Sequence, residues 1–171
     1  SYPLALKHNL VKQLPYLQKK YVKYESYKNQ TVQDIFTPEQ LENAVKHEAY
    51  ELRTSLIWNE GNGQFRAEPM QMEVQFSPVY AIHLEDMDGD GHPDILTGGN
   101  LYYVKPEVGR YDASYGSFLK GNGDGSFILL PPGRSGIRLE DEIREFLSIQ
   151  TNLGKLLIVA RNNAPVQIFR H

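Results

Sequence analysis

The sequence of 171 residues contains no cysteine, a single tryptophan and no long hydrophobic run. Without cysteine the chain forms no disulfide and offers no thiolate as a nucleophile or zinc ligand. The longest apolar run, LLIVA at 156–160, is far shorter than the roughly 20 residues that a membrane-spanning helix needs. These absences argue against thiol chemistry and against a membrane span.

No charge of one sign dominates the chain either. It carries 18 Lys and Arg against 21 Asp and Glu, which gives a net charge of −3. Proteins that bind nucleic acid usually concentrate basic residues on one face, so this balance gives little support to a nucleic-acid partner. The hydrophobic content of 40% is that of an ordinary globular protein.

Residues 1–53 predict a helical segment. An apolar stripe recurs at helical spacing before and after Pro15, which we expect to begin a second helix or kink the first. A capping box at Thr37 and Gln40 predicts a further helix through residue 52. The residues expected on the buried sides of these helices are Leu6, Leu10, Leu14, Leu17, Tyr21, Leu41, Ala44, Val45 and Ala49 or Leu52.

Residues 54–171 predict short strands separated by turns rich in glycine and asparagine. SLIWNEGNGQF at 55–65 aligns with SFLKGNGDGSF at 117–127, and ILTGGN at 95–100 aligns with LIVARN at 157–162. Both alignments have an offset of 62, which predicts two copies of a four-stranded unit of the kind found in β-propellers. We therefore expect an α+β protein with N-terminal helices and two antiparallel four-stranded blades, and with Trp58 in the core.

One loop concentrates carboxylates, in the stretch EDMDGDGHPDI at 85–95. Asp86, Asp88, Asp90 and Asp94 repeat with glycines between them, so their side chains can turn inward together. Calcium takes six to eight oxygen ligands, and the backbone carbonyl of His92 would add one more. The spacing therefore predicts a calcium site.

Two alternatives compete with this interpretation. An EF-hand requires a glutamate at the twelfth position, where this chain has Thr97, and strand-like segments rather than helices flank the loop. A solvated acidic turn is the simpler alternative. Carboxylates about 4 Å apart repel by about 1 kcal/mol in water and by about 4 kcal/mol at an effective dielectric constant near 20, which disfavours such a turn without a cation.

The second unit lacks this acidic loop. The corresponding segment, IQTNLGKLL at 149–157, contains no carboxylate and includes the basic Lys155. We expect it to keep a hairpin but to bind no calcium.

The loop DMDGDGHPDI, with NEGNGQF before it and GNGDGSF after it, resembles FG-GAP/VCBS repeats over residues 54–171. These repeats form the blades of calcium-binding β-propellers in integrin α-subunits and in many secreted bacterial proteins. The segment 76–127 is more narrowly similar to the C-terminal end of exported Bacteroidetes VCBS-repeat proteins of the cartilage-acidic-protein/UnbV type. The helices before residue 54 resemble the segment that precedes the last blades in those proteins.

The resemblance implies that Asp86, Asp88, Asp90 and Asp94 bind Ca²⁺ through their side chains, and His92 through its carbonyl. It further implies an extracytoplasmic, non-enzymatic adhesion, binding or scaffold module. Propellers have four to eight blades, and this chain supplies about two. The partners expected from this are the remaining blades of its own propeller, further copies in a homo-oligomer, or an unknown protein or glycan. Alternatively, the N-terminal helices cover the open sheet edges.

Other functions remain open at this point. A calcium-dependent hydrolase or lyase acting on polysaccharides would need an acid/base pair, for which His83 and Glu85 are the candidates on one strand face. A purely structural fragment of a larger propeller is a further alternative. The tyrosine-rich segment 98–116 would either contact a partner or glycan, or form an ordered connection packed on the sheet.

Overall fold

The computed structural model describes residues 1–152 and 154–170. Contacts between residues divide the chain into two compact units, residues 1–50 and residues 51–171. We call them the helical unit and the strand unit, and each is described by itself. No helix in the described ranges combines the length and the apolar character that crossing a membrane requires.

Four short helices form the helical unit. They are α1 (Lys7–Gln13), α2 (Leu17–Lys20), α3 (Val32–Ile35) and α4 (Pro38–Glu42). Leu17, Tyr21 and Ile35 form a buried cluster against which Leu10 and Leu14 pack. The predicted stripe therefore supplies most of this small core, but Leu6 is exposed. Pro15 lies between α1 and α2, as expected from its missing backbone N–H.

The capping box at the start of α4 is confirmed, but the length predicted for this helix is wrong. The Gln40 backbone N–H donates to Thr37 Oγ1, and the Thr37 N–H donates to Gln40 Oε1. The helix ends at Glu42, and Val45 and Leu52 are more than 80% exposed. Because no apolar surface covers these side chains, the energy of packing that usually sustains a helix is missing beyond Glu42.

Nine strands and two short helical turns form the described part of the strand unit. The strands are β1 (Ser55–Gly61), β2 (Gln64–Pro69), β3 (Val79–Glu85), β4 (Asp94–Gly99), β5 (Ser117–Gly121), β6 (Phe127–Leu130), β7 (Ile143–Thr151), β8 (Gly154–Arg161) and β9 (Gln167–Arg170). A 3₁₀ helix covers Met72–Gln75, and α5 covers Pro132–Ser135.

The strands pair antiparallel in three sheets with the orders β1-β2, β3-β4-β5-β6 and β7-β8-β9. The expected α+β class is thus confirmed, but the sheets contain two, four and three strands instead of four and four. No closed propeller forms within the described residues. The difference arises because strands pair across the repeat boundary: β3 and β4 end the first repeat, and β5 and β6 begin the second.

The two central strands of the four-stranded sheet, β4 and β5, are covered on both faces. On one side, Leu96 and Phe118 pack with Ile143, Phe146 and other residues of and near the β7-β8-β9 sheet. On the other side, Ile95 and Leu119 pack with Val74 and with side chains of the β1–β2 hairpin. All six residues of β4 are consequently buried. This central strand begins at Asp94, so the rigid core fixes the last aspartate of the acidic loop.

Candidate metal centre

The acidic loop, residues 86–94, connects β3 to β4 at one end of the four-stranded sheet. Glu85 pairs with Asp94 in the antiparallel register, so the loop closes directly onto the last pair of the ladder. The predicted strand–loop–strand arrangement is therefore confirmed, and the flanking elements are not those of an EF-hand.

Asp86 organises the first half of the loop through its own carboxylate. Its Oδ1 accepts hydrogen bonds from the backbone N–H groups of Gly89, at 2.8 Å, and Asp90, at 3.1 Å. Its Oδ2 accepts one from the N–H of Gly91 at 2.9 Å. Local bonds of this kind curl the backbone around the aspartate, and they leave further lone pairs on both oxygens.

Asp94 anchors the other end of the loop and is fully buried. The backbone N–H of Met87 donates to its Oδ2 at 2.9 Å, and that of Gly121 donates to its Oδ1 at 2.9 Å. A buried carboxylate is tolerated because each oxygen has a hydrogen-bond donor. Asp94 thereby ties the acidic loop to β5.

The structure brings three of the predicted ligands together. One carboxylate oxygen each from Asp86, Asp88 and Asp94 lie within 4.8 Å of one another. Calcium–oxygen distances are about 2.3–2.6 Å, so two oxygens on one ion are separated by at most about 5 Å. The three side chains therefore could hold a metal ion, and their hard oxygen donors suit calcium, magnesium or manganese better than softer metals.

The fourth predicted aspartate and His92 are placed differently. Asp90 lies outside the group of three and accepts a hydrogen bond from the His92 backbone N–H at 2.9 Å. The His92 ring lies against Gly123, where an added Cβ would come within 2.5 Å of its Nδ1. The predicted role of the His92 carbonyl as a ligand stays a prediction.

Lys120 contacts the acidic loop, which the sequence did not predict. It lies on β5, and its Nζ forms ion pairs with Oδ2 of Asp88 and Oδ2 of Asp90. These hydrogen bonds raise the pKa of Lys120, and the bond from Lys120 is the main cause that lowers the pKa of Asp90. In the sequence Lys120 is visible only as a lysine directly before GNGDG. Its ion pairs with Asp88 and Asp90 form only because β5 pairs with β4.

The β5–β6 turn supports the acidic loop from the side. A Cβ added to Gly121 would lie 2.2 Å from the carbonyl oxygen of Pro93, so only glycine permits this approach. Gly123 has a φ of +80° and contacts the His92 ring. The repeated glycines of this turn therefore serve close packing against the acidic loop as well as chain reversal.

A polar cluster follows the acidic loop toward the neighbouring sheet. Glu85 contacts His83 Nε2 at 3.1 Å, accepts a hydrogen bond from Ser148 Oγ at 2.8 Å and forms an ion pair with Lys155. Burial alone would raise the pKa of Glu85, but these three partners together lower it to about 2. The predicted proximity of His83 and Glu85 is confirmed, and both belong to a link between β3 and β7–β8.

In the second sequence repeat, the corresponding segment joins β7 to β8, and Thr151 pairs with Gly154 in the antiparallel register. Leu153, which the prediction for this loop included, lies outside the described residues. Lys155 is directed to Glu85 rather than to the acidic loop.

The structure contradicts the prediction for Trp58, whereas the alternatives for the tyrosine-rich segment 98–116 stay predictions. Trp58 lies on β1 as expected, but it is only partly buried, with its ring against Gly125 and its Nε1 donating to Glu68. The prediction that it belongs to the core is wrong, because β1 is an edge strand of a two-stranded sheet. In the segment 98–116, Tyr103 is 76% exposed, whereas Tyr102 is partly buried and has the Arg110 guanidinium 5.1 Å from its ring centre.

Comparisons of the chain with protein-family models, with curated proteins and with solved structures give no match.

Proposed function

We propose that the acidic loop binds one calcium ion through Asp86, Asp88 and Asp94, with Asp90 and the His92 carbonyl completing the site. The observation that supports this most directly is the set of three carboxylate oxygens within 4.8 Å of one another. The ion neutralises carboxylates that would otherwise repel and clamps the β3–β4 connection against β5. Its role is structural.

Around this site we propose a non-enzymatic binding or scaffold module of an exported protein. Calcium is plentiful outside the cytoplasm, where modules commonly bind it with dissociation constants of about 10⁻⁴–10⁻³ M. A polysaccharide-active enzyme is disfavoured, because in the acid/base pair it would use, His83 contacts Glu85, and Glu85 is also engaged with Ser148 and Lys155. An ion-paired carboxylate with a pKa of about 2 is a poor general acid at neutral pH.

One observation favours additional strands as the partner. In the repeat, β1 corresponds to β5, which lies between β4 and β6, whereas β1 pairs only with β2 in the described residues. The open edge of β1 can accept another strand by main-chain hydrogen bonds, from further blades or from a second copy. Light scattering tests the second copy, since a monomer at all concentrations contradicts a homo-oligomer.

Calcium titration by isothermal calorimetry tests the proposed site. We expect one site with a dissociation constant of about 10⁻⁴–10⁻³ M, weakened at least about tenfold by Asp88→Asn. Asp112→Asn, which removes an exposed carboxylate from segment 98–116, is the matched control and should bind as the wild type does. Absence of binding up to about 10 mM calcium, well above that range, would contradict the proposal.

A further inference from the structure

Lys120 is held in place beside the acidic loop by the strands around it. It lies on β5, which pairs with β4 on one side and β6 on the other. The next residue, Gly121, donates its backbone N–H to Asp94, the anchor of the loop. The lysine side chain is 30% exposed and reaches Asp88 and Asp90 by ion pairs to both. The ammonium group is thus attached to the same rigid frame as the carboxylates it contacts.

The ammonium and a metal ion would need the same carboxylate. Asp88 belongs to the group of three aspartates that could hold a metal, and its Oδ2 is paired with Lys120. Asp90, the second partner of Lys120, is the predicted ligand that lies outside this group. Two cations on one carboxylate lie within a few ångströms and repel each other, so full occupation by one weakens the other.

The corresponding position in the other β-hairpin shows that the strand does not require lysine there. With the offset of 62, Lys120 corresponds to Trp58 on β1, whose side chain contacts Gly125 and Glu68. Lys155, the basic residue at the equivalent loop of the second unit, pairs with Glu85. Lys120 therefore stands out, because its charge is directed at two aspartates of the acidic loop.

We propose that Lys120 is a built-in counter-cation that holds the acidic loop together without metal and must leave Asp88 and Asp90 when calcium binds. This inference rests on the proposed calcium site. The lysine lowers the affinity for calcium, and in exchange it keeps the loop ordered when calcium is scarce. Release of Asp90 from the ammonium then frees its carboxylate to join the other three.

Calcium titration of the Lys120→Gln variant tests the proposal on the full chain. We expect its dissociation constant to be about two- to fivefold lower than that of the wild type, as the loss of a competing, partly exposed ion pair implies. Its melting temperature in EGTA should be lower than the wild-type value, because Asp88 and Asp90 lose the ammonium group that they contact. Lys105→Gln removes an exposed lysine of the same charge and should change neither quantity.

Two further variants keep the test decisive. Lys120→Arg retains the positive charge and should keep the weaker, wild-type-like affinity. Lys120→Met keeps the aliphatic stem and replaces the glutamine variant if that chain does not fold in either condition. A glutamine variant that folds only when calcium is present supports the proposal, since the ion then supplies the missing charge.

The outcomes separate this proposal from the calcium site itself. Equal calcium affinity in the wild type and Lys120→Gln overturns the role of Lys120 and leaves the site intact. No binding by any variant overturns both. A melting temperature in EGTA that is unchanged or higher in Lys120→Gln also contradicts a stabilising counter-cation.

Discussion

The backbone N–H of Gly121 donates a hydrogen bond of 2.9 Å to Oδ1 of the fully buried Asp94. This bond joins the end of the acidic loop to the start of the β5–β6 turn, 27 residues further along the chain. The other carboxylate oxygen of Asp94 accepts from Met87 at 2.9 Å. Asp94 is therefore a structural anchor of the loop independently of any metal.

We expect Asp94→Asn to destabilise the strand unit in EGTA as well as in calcium. The amide NH₂ group would face one of two backbone N–H donors, and a buried donor without an acceptor costs about 1–3 kcal/mol. Urea denaturation in both buffers measures the change. Asp88→Asn, at an exposed position, is the comparison and should lose more stability in calcium than in EGTA. Equal stability of Asp94→Asn and wild type in EGTA would contradict the anchoring role.

A methyl group at Gly121 should also disturb the contact between the acidic loop and β5, this time from the β5 strand. The added Cβ would lie 2.2 Å from the Pro93 carbonyl oxygen, so the acidic loop must move away. We expect Gly121→Ala to cost about 1–3 kcal/mol of unfolding free energy, as overpacking typically does, and to weaken calcium binding.

Gly133→Ala is the control for this substitution. Gly133 lies in α5, and an added Cβ meets nothing within 4 Å, so stability should stay the same or rise slightly. Thermal melts and calcium titrations of both variants give the comparison. If Gly121→Ala matches the wild type in both, the close approach of the loop to β5 is not required.

The sequence was sufficient to predict the local features of the strand unit. The acidic repeat with its glycines predicts a loop that gathers Asp86, Asp88, Asp90 and Asp94, and the structure brings all of these but Asp90 into one group. The strands around the loop lie where expected. These features depend on residues close together in the chain. Residues 1–53 were predicted less well, because α4 ends at Glu42 for lack of an apolar surface that the periodicity could not reveal.

The sequence did not predict which distant strands pair with each other. The offset of 62 identified the repeat but not where one sheet ends and the next begins, so two four-stranded units were expected where the sheets have two, four and three strands. For the same reason Lys120 was missed. Its partners Asp88 and Asp90 are about 30 residues away in sequence and become neighbours only through the pairing of β4 with β5.

The polar link between β3 and β7–β8 should make stability depend on pH. The pKa of Glu85 is about 2 in the folded protein against 4.5 ordinarily, so its charged form stabilises the fold above pH 4.5. This contribution is lost as the pH falls from 4.5 toward 2, because Glu85 is then protonated more readily in the unfolded chain. Since Glu85 is 24% exposed, we expect about 1–2 kcal/mol rather than the full value of the shift.

Urea denaturation at neutral and acidic pH in calcium-free buffer measures this contribution. The wild type should lose more stability on acidification than Glu85→Gln, which lacks the ionisable group. Glu107→Gln removes an exposed carboxylate and should follow the wild type. Parallel pH profiles for Glu85→Gln and wild type would show that the link to Ser148 and Lys155 does not stabilise the charged form.

The most direct test of the central claim is the melting temperature measured in excess calcium and in EGTA. At ten times the dissociation constant, bound calcium adds about 1.4 kcal/mol to the free energy of unfolding. For a unit of this size that corresponds to about 4–7 °C. We predict this increase for the wild type and none for Asp88→Ala. Identical melting of the wild type in the two buffers would contradict a calcium ion that clamps the acidic loop.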